Sequence, residues 1–158
     1  MPLDHDQWPT REELLLEEGE LELPGLSESD AYELGMRAVA AAGEQRLPIA
    51  VGVWRAGRQL FHCGLPGSTL DNDGWLRRKG RVVMRFEHSS LYMARFCRDQ
   101  QVTLTEKFGL PASRYAAAGG AVPLRVRATG VVGWFGVSGL PQLEDHRFVV
   151  DVLRATSR

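Results

Sequence analysis

Paired cysteines, a long apolar run and a charge excess of one sign are all missing from this sequence, and each absence removes a class of protein. Cys63 and Cys97 are the only cysteines and show no CxxC spacing. That excludes a zinc ribbon or a disulfide framework and predicts two reduced thiols. The longest uncharged stretch, Ala128 to Leu143, has 16 residues broken by four glycines and Pro141, too short and interrupted to span a bilayer. Lys and Arg number 19 against 20 Asp and Glu, a net of −1, unlike the basic footprint of nucleic-acid binders. The opening Met1-Pro2-Leu3-Asp4-His5-Asp6 lacks the basic and apolar segments of an export signal, so the expected location is cytoplasmic, with neither membrane nor nucleic acid as partner. GxSxG, Walker A, GxGxxG, HExxH and CxxCH motifs are absent too, which lowers the case for catalysis without abolishing it.

What is present suits one globular domain: 158 residues, 44% hydrophobic and 25% charged. Charge is unevenly spread. Residues 1 to 30 carry ten acids and one base, a net of −9, and the rest is therefore +8. Opposed segments attract, so residues 1–26 are expected to be an acidic arm and 27–158 a single domain. The arm either folds over its own or a neighbouring subunit's basic body or is a solvated tail.

Periodicity gives the order helix, hairpin, helix, hairpin, helix, which predicts an α+β domain with a mostly antiparallel sheet. Residues 12 to 18 suit a short acidic helix ending near Gly19. Ser27 to Asp30 offer caps for a helix from Ala31 to Gln45, with Leu34, Ala38, Ala41 and Ala42 on one stripe. Ile49 to Trp54 and Arg58 to Cys63 read as a hairpin around Ala56-Gly57, with Ala50 and Gly52 leaving room on one face for a close approach. Asp71-Asn72-Asp73 cap one long central helix expected from about Gly74 to Gln100. Its apolar stripe holds Trp75, Val82, Val83, Phe86, Met93 and Cys97, opposite Arg77, Arg81, His88, Tyr92 and Arg95. In the second hairpin, Val122, Leu124 and Val126 alternate with Pro123, Arg125 and Arg127, which predicts a strand with one wet face and Pro123 at an edge or strand start. Its partner is Val131 to Val137. Glycines at 130, 133, 136 and 139 imply close packing on a helix, a subunit or a ligand. After Pro141 a closing helix runs to about Ala155, with Leu143, His146, Val149, Val150 and Leu153 on its stripe.

Two residues break the long stripe, Lys79 and Ser90. A buried ammonium without a partner is costly, so Lys79 should reach a carboxylate, a bound anion or solvent. Either Asp71, Asn72 and Asp73 hold Lys79 in a charge-assisted network, or the helix N-terminus and Lys79 together receive an anionic group, with Ser68 and Thr69 as further donors. The Gly136-Val137-Ser138-Gly139 turn is a second such terminus, or a plain cap. His146 is either a satisfied, partly buried histidine or a ligand. His88, among Arg81, Arg85 and Tyr92, is a polar-interface or surface residue. Both are the candidate acid/base groups if the chain is an enzyme. The sequence neighbours His62/Cys63 and His88/Ser89 do not by themselves make a dyad.

Four ordered blocks resemble the haem-degrading-domain family, in its branch of uncharacterised small proteins related to GlcG-like and extracellular haem-binding members. They are Thr69 to Lys79, Arg85 to Ser90, Tyr115 to Gly120 and Gly136 to His146, and the likeness covers roughly residues 10 to 155. The resemblance implies a profilin-like layered domain that assembles into dimers or higher rings. It also implies site positions at Asn72, Asp73, Trp75, Lys79, Ser89, Ser90, Tyr115, Gly119, Gly120, Asp145 and His146, with no metal assigned. Relatives often carry histidine where this chain has Ala118, so a ring nitrogen for metal, haem or substrate is missing here.

The expected function is an oligomeric small-ligand-binding domain that accepts a small anionic molecule, with haem as a candidate cofactor held through its propionates. Lys79 would offset negative charge, Ser89 or Ser90 would donate hydrogen bonds, and Trp75 or Tyr115 would form an aromatic wall. The alternatives are a redox or lytic enzyme using His146 or His88, and an oligomeric scaffold that recruits proteins.

Overall fold

In a computed structural model, which describes residues 7–156, two hairpins lie side by side and build one four-stranded sheet. β1 (Ala50–Arg55) and β2 (Arg58–Gly64) form the first hairpin, β3 (Ala121–Val126) and β4 (Gly130–Ser138) the second, in the order β2-β1-β4-β3. Every strand pair is antiparallel, with Val53 opposite Phe135 and Trp54 opposite Trp134 across the central β1/β4 pair. The α+β class and its antiparallel sheet follow the expectation.

Alternation along β1 and β4 produces two cores. Val51, Val53, Phe135 and Val137 face α2 (Glu28–Glu44) and α6 (Gln142–Thr156), which bring Ala31, Leu34, Ala38, Ala42, Val149, Val150 and Leu153 to the main core. On the other face Ala50, Ala121 and Trp134 meet Leu76 and Val83 of α3 (Leu70–Phe86). Ser27 caps α2 in a reciprocal box with Asp30, and both bonds are present. Of the recurrent glycines, Gly133, Gly136 and Gly139 serve packing within the chain, whereas Gly130, at φ +111°, has open space beside it and shapes the turn into β4. A Cβ on Gly133 would strike the backbone at Trp54, and one on Gly52 would overlap the Trp54 ring. The space beside Ala50 and Gly52 is filled by Leu76 and Trp54.

The long helix is interrupted. α3 begins at Leu70, with Thr69 as N-cap and Asn72 closing the box, so the expected capping run Asp71 to Asp73 lies inside its first turn. It ends at Glu87, which is left-handed at φ 58°, and a second helix, α4 (Ser90–Gln100), starts with Ser89 as N-cap. A serine hydroxyl that accepts from Tyr92 N offers the backbone an alternative to continuing the helix, and the sequence pattern of apolar spacing runs through that break. Trp75 is 37% exposed and therefore not part of the core stripe.

The strand β3 is an edge strand, one of the two positions Pro123 favours, and its second face is wet only at one end: Ala121 and Pro123 are buried with Val122 and Leu124, Arg125 and Val126 are half-exposed, and Arg127, just past the strand, is exposed. α3 covers that face, which an alternation of residue types cannot reveal. Finally α1 (Arg11–Gly19), capped by Thr10, sets Leu14 against Leu91, Ala94 and Leu143, and Leu21, Leu23 and Leu26 continue into the main core. A short α5 (Leu104–Phe108) closes a further apolar cluster with Val82 and Met93. Among the described residues no helix is long and apolar enough to cross a membrane.

Candidate functional site

α3 and α6 lie on opposite faces of the sheet, yet their first turns converge beyond the end of β4. Lys79, one of the buried residues of α3, reaches across this junction. Its ammonium donates to Asp145 Oδ2 at 3.0 Å and to the Val137 carbonyl at 3.3 Å. The two side chains are 4% and 2% exposed. Asp145 is fixed in turn by backbone donors, Leu140 N to Oδ1 at 3.1 Å and Gly139 N to Oδ2 at 3.4 Å. Gly120 permits this approach: at φ +138° it is in a conformation that side chains disfavour, and a Cβ there would lie 2.7 Å from Lys79 Nζ.

Burial pushes Lys79 below its ordinary pKa and Asp145 above its own, and in both cases the attraction between the pair opposes that push. We take the pair as ionised, because two backbone N–H groups and an ammonium all point at the Asp145 carboxylate and leave it the better-solvated partner. Lys79 thus has the negative companion its position demanded. That companion is not the expected trio: Asn72 closes the Thr69 cap, Asp73 sits 2.6 Å from His62 Nε2, and Asp71 stays at the rim. The reason is direction. Side chains at 71 to 73 leave the first turn beside the Thr69 cap and the β2 edge, while Lys79 points into the sheet.

Beside the pair opens a cavity of about 280 Å³ lined by Asp71, Asn72, Trp75, Lys79, Ala118, Ser138, Gly139, Leu140, Gln142 and Asp145. Trp75 forms an aromatic rim, held by the Arg78 guanidinium 4.2 Å over its ring. The methyl of Ala118 stands in the wall. Gln142, which the sequence did not single out, accepts from Gly119 N at 3.0 Å and ties the 115–120 loop to the start of α6. Its sequence signals are its place directly after Pro141, in the first helical turn, and its position within the Gly136 to His146 block.

The other expected positions lie elsewhere. Ser89 caps α4, and the Ser90 hydroxyl accepts from Ala121 N at 3.0 Å, pinning α4 to β3. Tyr115 lines a separate cavity of about 250 Å³ with Cys97 and Leu104. His146 and His88 both meet acids of α1: His146 Nε2 is 2.7 Å from Glu17 Oε1, and His88 Nδ1 is 2.9 Å from Glu18 Oε2. Glu18 also accepts from Ser89 N at 2.6 Å. These adjacent acids were missed as histidine partners, although the charge contrast between arm and body was visible. His5 lies outside the described residues.

A family model described as haem degrading protein, HbpS-like, matches residues 26–154. The chain belongs to this family. Among relatives, a "UPF0303 protein" of Streptomyces avermitilis is 46% identical over 145 residues, covering 92% of this chain and 89% of that protein. One from Edwardsiella ictaluri is 39% identical over 140 residues, covering 89% of each. The crystal structure of the Ybr137w protein superposes with a TM-score of 0.87 at 35% identity, covering 96% of this chain and 90% of that one. The HbpS crystal structure, at 20% identity and TM-score 0.66 over 82% and 88% of the two chains, shares the fold. So does PduOC, solved as a haem complex, at 19% identity and TM-score 0.71 over 84% and 94%. The HbpS-like assignment agrees with the resemblance carried by the four sequence blocks.

Proposed function

We propose that this HbpS-like chain is a small-ligand-binding domain whose site is the cavity beside Lys79, and that its ligand is a small anion of low charge. The observation that carries this reading is the convergence of one buried ammonium and two helix N-termini on one cavity. Two of the three N–H groups of Lys79 are committed to Asp145 and Val137, leaving the third for a ligand. The lining carries one ammonium against two carboxylates, Asp71 and Asp145, a side-chain net of −1. Each helix N-terminus adds roughly half a positive charge, which about offsets it. A monocarboxylate suits such a balance better than a polyphosphate.

The volume points the same way, just under the roughly 300–1,000 Å³ of pockets for drug-sized ligands. Haem is the larger candidate suggested by the family and by the PduOC complex. A propionate suits Lys79, but the lining contains no His, Met, Cys or Tyr of the usual axial types, so the macrocycle fits only across the mouth. Self-association is part of the proposal, because Trp75 at the rim is 37% exposed and Leu70, at the start of the same helix, is 84% exposed. The free thiols of Cys63 and Cys97 support the cytoplasmic location.

The test is calorimetric titration with carboxylates from acetate to benzoate, alongside haemin followed at its Soret band. Saturable carboxylate binding that Ala118→Leu removes by filling the wall is the expected result. A saturable Soret shift, lost in the same variant, would extend the site to haem. Absence of saturable binding in both arms, or binding indifferent to Ala118→Leu, removes the cavity from the account.

A further inference from the structure

The opposite flank of α3 carries a second cavity, of about 550 Å³, between the helix and the β1/β4 strands near the Ala56-Gly57 turn. Its floor is a pair of indoles: Trp54 and Trp134 stack with ring centroids 4.4 Å apart and planes 6° from parallel. Trp134 is buried and Trp54 half-buried, so an aromatic surface is presented to the opening. Gly80 makes this possible, since a Cβ there would fall inside the Trp134 ring. Cross-strand indoles directly opposite on β1 and β4 stack face to face into one rigid block, and the half-buried Trp54 ring is its accessible platform.

Cations crowd the wall above it. Arg77 and Arg81 line the cavity, with Arg78 and Arg114 close to Arg81. No carboxylate lies within ion-pair distance of any of these four among the described residues. Arg81 is held in place by donating to the Arg114 carbonyl at 3.1 Å. Burial, followed by the charge of Arg114 and then those of Arg77 and Arg78, presses its pKa downward. Like charges gathered without a counter-ion on a chain of net charge −1 form a local feature that an anion relieves.

We propose that this cavity binds a flat aromatic anion, its ring against the Trp54–Trp134 platform and its sulfonate, carboxylate or phosphate group on Arg77 and Arg81. The volume lies inside the range of small-molecule pockets, and a guanidinium fork above an aromatic floor matches a planar ligand with an acidic edge. Nothing in this site depends on Lys79 or its cavity.

The experiment uses 2-naphthalenesulfonate as probe, with calorimetry and tryptophan fluorescence of the whole chain. Saturable one-to-one binding is expected, with 2-naphthol, which lacks the anion, and methanesulfonate, which lacks the ring, each weaker by at least about tenfold. Arg77→Gln, at an exposed helix position where Gln is well tolerated, should weaken the probe about tenfold without changing the melting temperature. Ala118→Leu should leave probe binding unchanged, which separates this site from the Lys79 cavity. Equal affinity for 2-naphthol, no effect of Arg77→Gln, or no saturable binding overturns the proposal. So does sedimentation in which the probe dissociates an oligomer, which would make this flank a contact between copies.

Discussion

Replacing Asp145 by Asn leaves an ammonium buried without its counter-charge while keeping a side-chain oxygen for Leu140 N, so the substitution removes the ion pair together with the longer 3.4 Å bond from Gly139 N. Breaking a buried pair from one side costs about 3–5 kcal/mol. For a chain of this size 1 kcal/mol moves the melting temperature by about 2–4 °C, so a fall of roughly 6–20 °C is expected at pH 7. Lys79→Met strands the Asp145 carboxylate instead and should cost a similar amount. The double variant Lys79→Met/Asp145→Asn should cost less than the sum by about 1–3 kcal/mol, because no uncompensated charge is left. The pH dependence has a definite sign. Lys79 in the folded chain lies below its ordinary value of 10.5, and loss of Asp145 removes the two influences that raise it. Between the folded value and 10.5 the unfolded chain binds more protons, so the stability of Asp145→Asn should rise with pH there, by at most about 1.4 kcal/mol per unit. Asp145 in the wild type runs the other way. Its folded value lies above 3.8, so its contribution is largest below 3.8 and declines as pH rises through the folded value. Urea melts between pH 6 and 10 measure the Lys79 side of this. Two single variants that each cost under about 1 kcal/mol, add independently and show no pH slope would refute the buried pair as drawn.

Three further perturbations probe other contacts. Gly80→Ala favours the helix by about 1 kcal/mol in propensity but places a methyl in the Trp134 ring, so a net loss of about 1–3 kcal/mol and an altered near-ultraviolet dichroism are expected; a raised melting temperature contradicts the packing. His146→Ala removes the 2.7 Å contact with Glu17 and should cost about 1–3 kcal/mol, with faster amide exchange in α1; unchanged α1 protection would show that the contact does not hold the helix. Glu87→Gly relieves a left-handed residue at φ 58° whose side chain is exposed, so equal or up to about 1 kcal/mol greater stability is expected by calorimetry, and a loss beyond 1 kcal/mol counts against the interruption between α3 and α4.

Local chemistry accounts for what could be read without coordinates. Ser27 with Asp30 announces α2, Ala56-Gly57 turns the first hairpin, and Pro141 opens α6, because caps and turns are decided by residues a few positions apart. The break at Glu87 to Ser89 was harder. The apolar spacing continues across it, and the signal, a serine pair able to cap, competes with a strong helical period. Of the expected site residues, Asn72, Trp75, Lys79 and Asp145 line one cavity, with Gly119 and Gly120 behind it, while Ser89, Ser90, Tyr115, His88 and His146 serve other contacts.

By itself the sequence determined that Lys79 required a negative partner, since an ammonium on an apolar helical face is too costly to leave alone whatever the surroundings. Only the tertiary structure decided that this partner is Asp145, that Glu17 and Glu18 meet His146 and His88, and that Trp54 lies on Trp134. Those partners are separated by tens of residues, and which of several available acids or rings is met depends on how the two hairpins and α3 pack, a long-range outcome that no local pattern encodes.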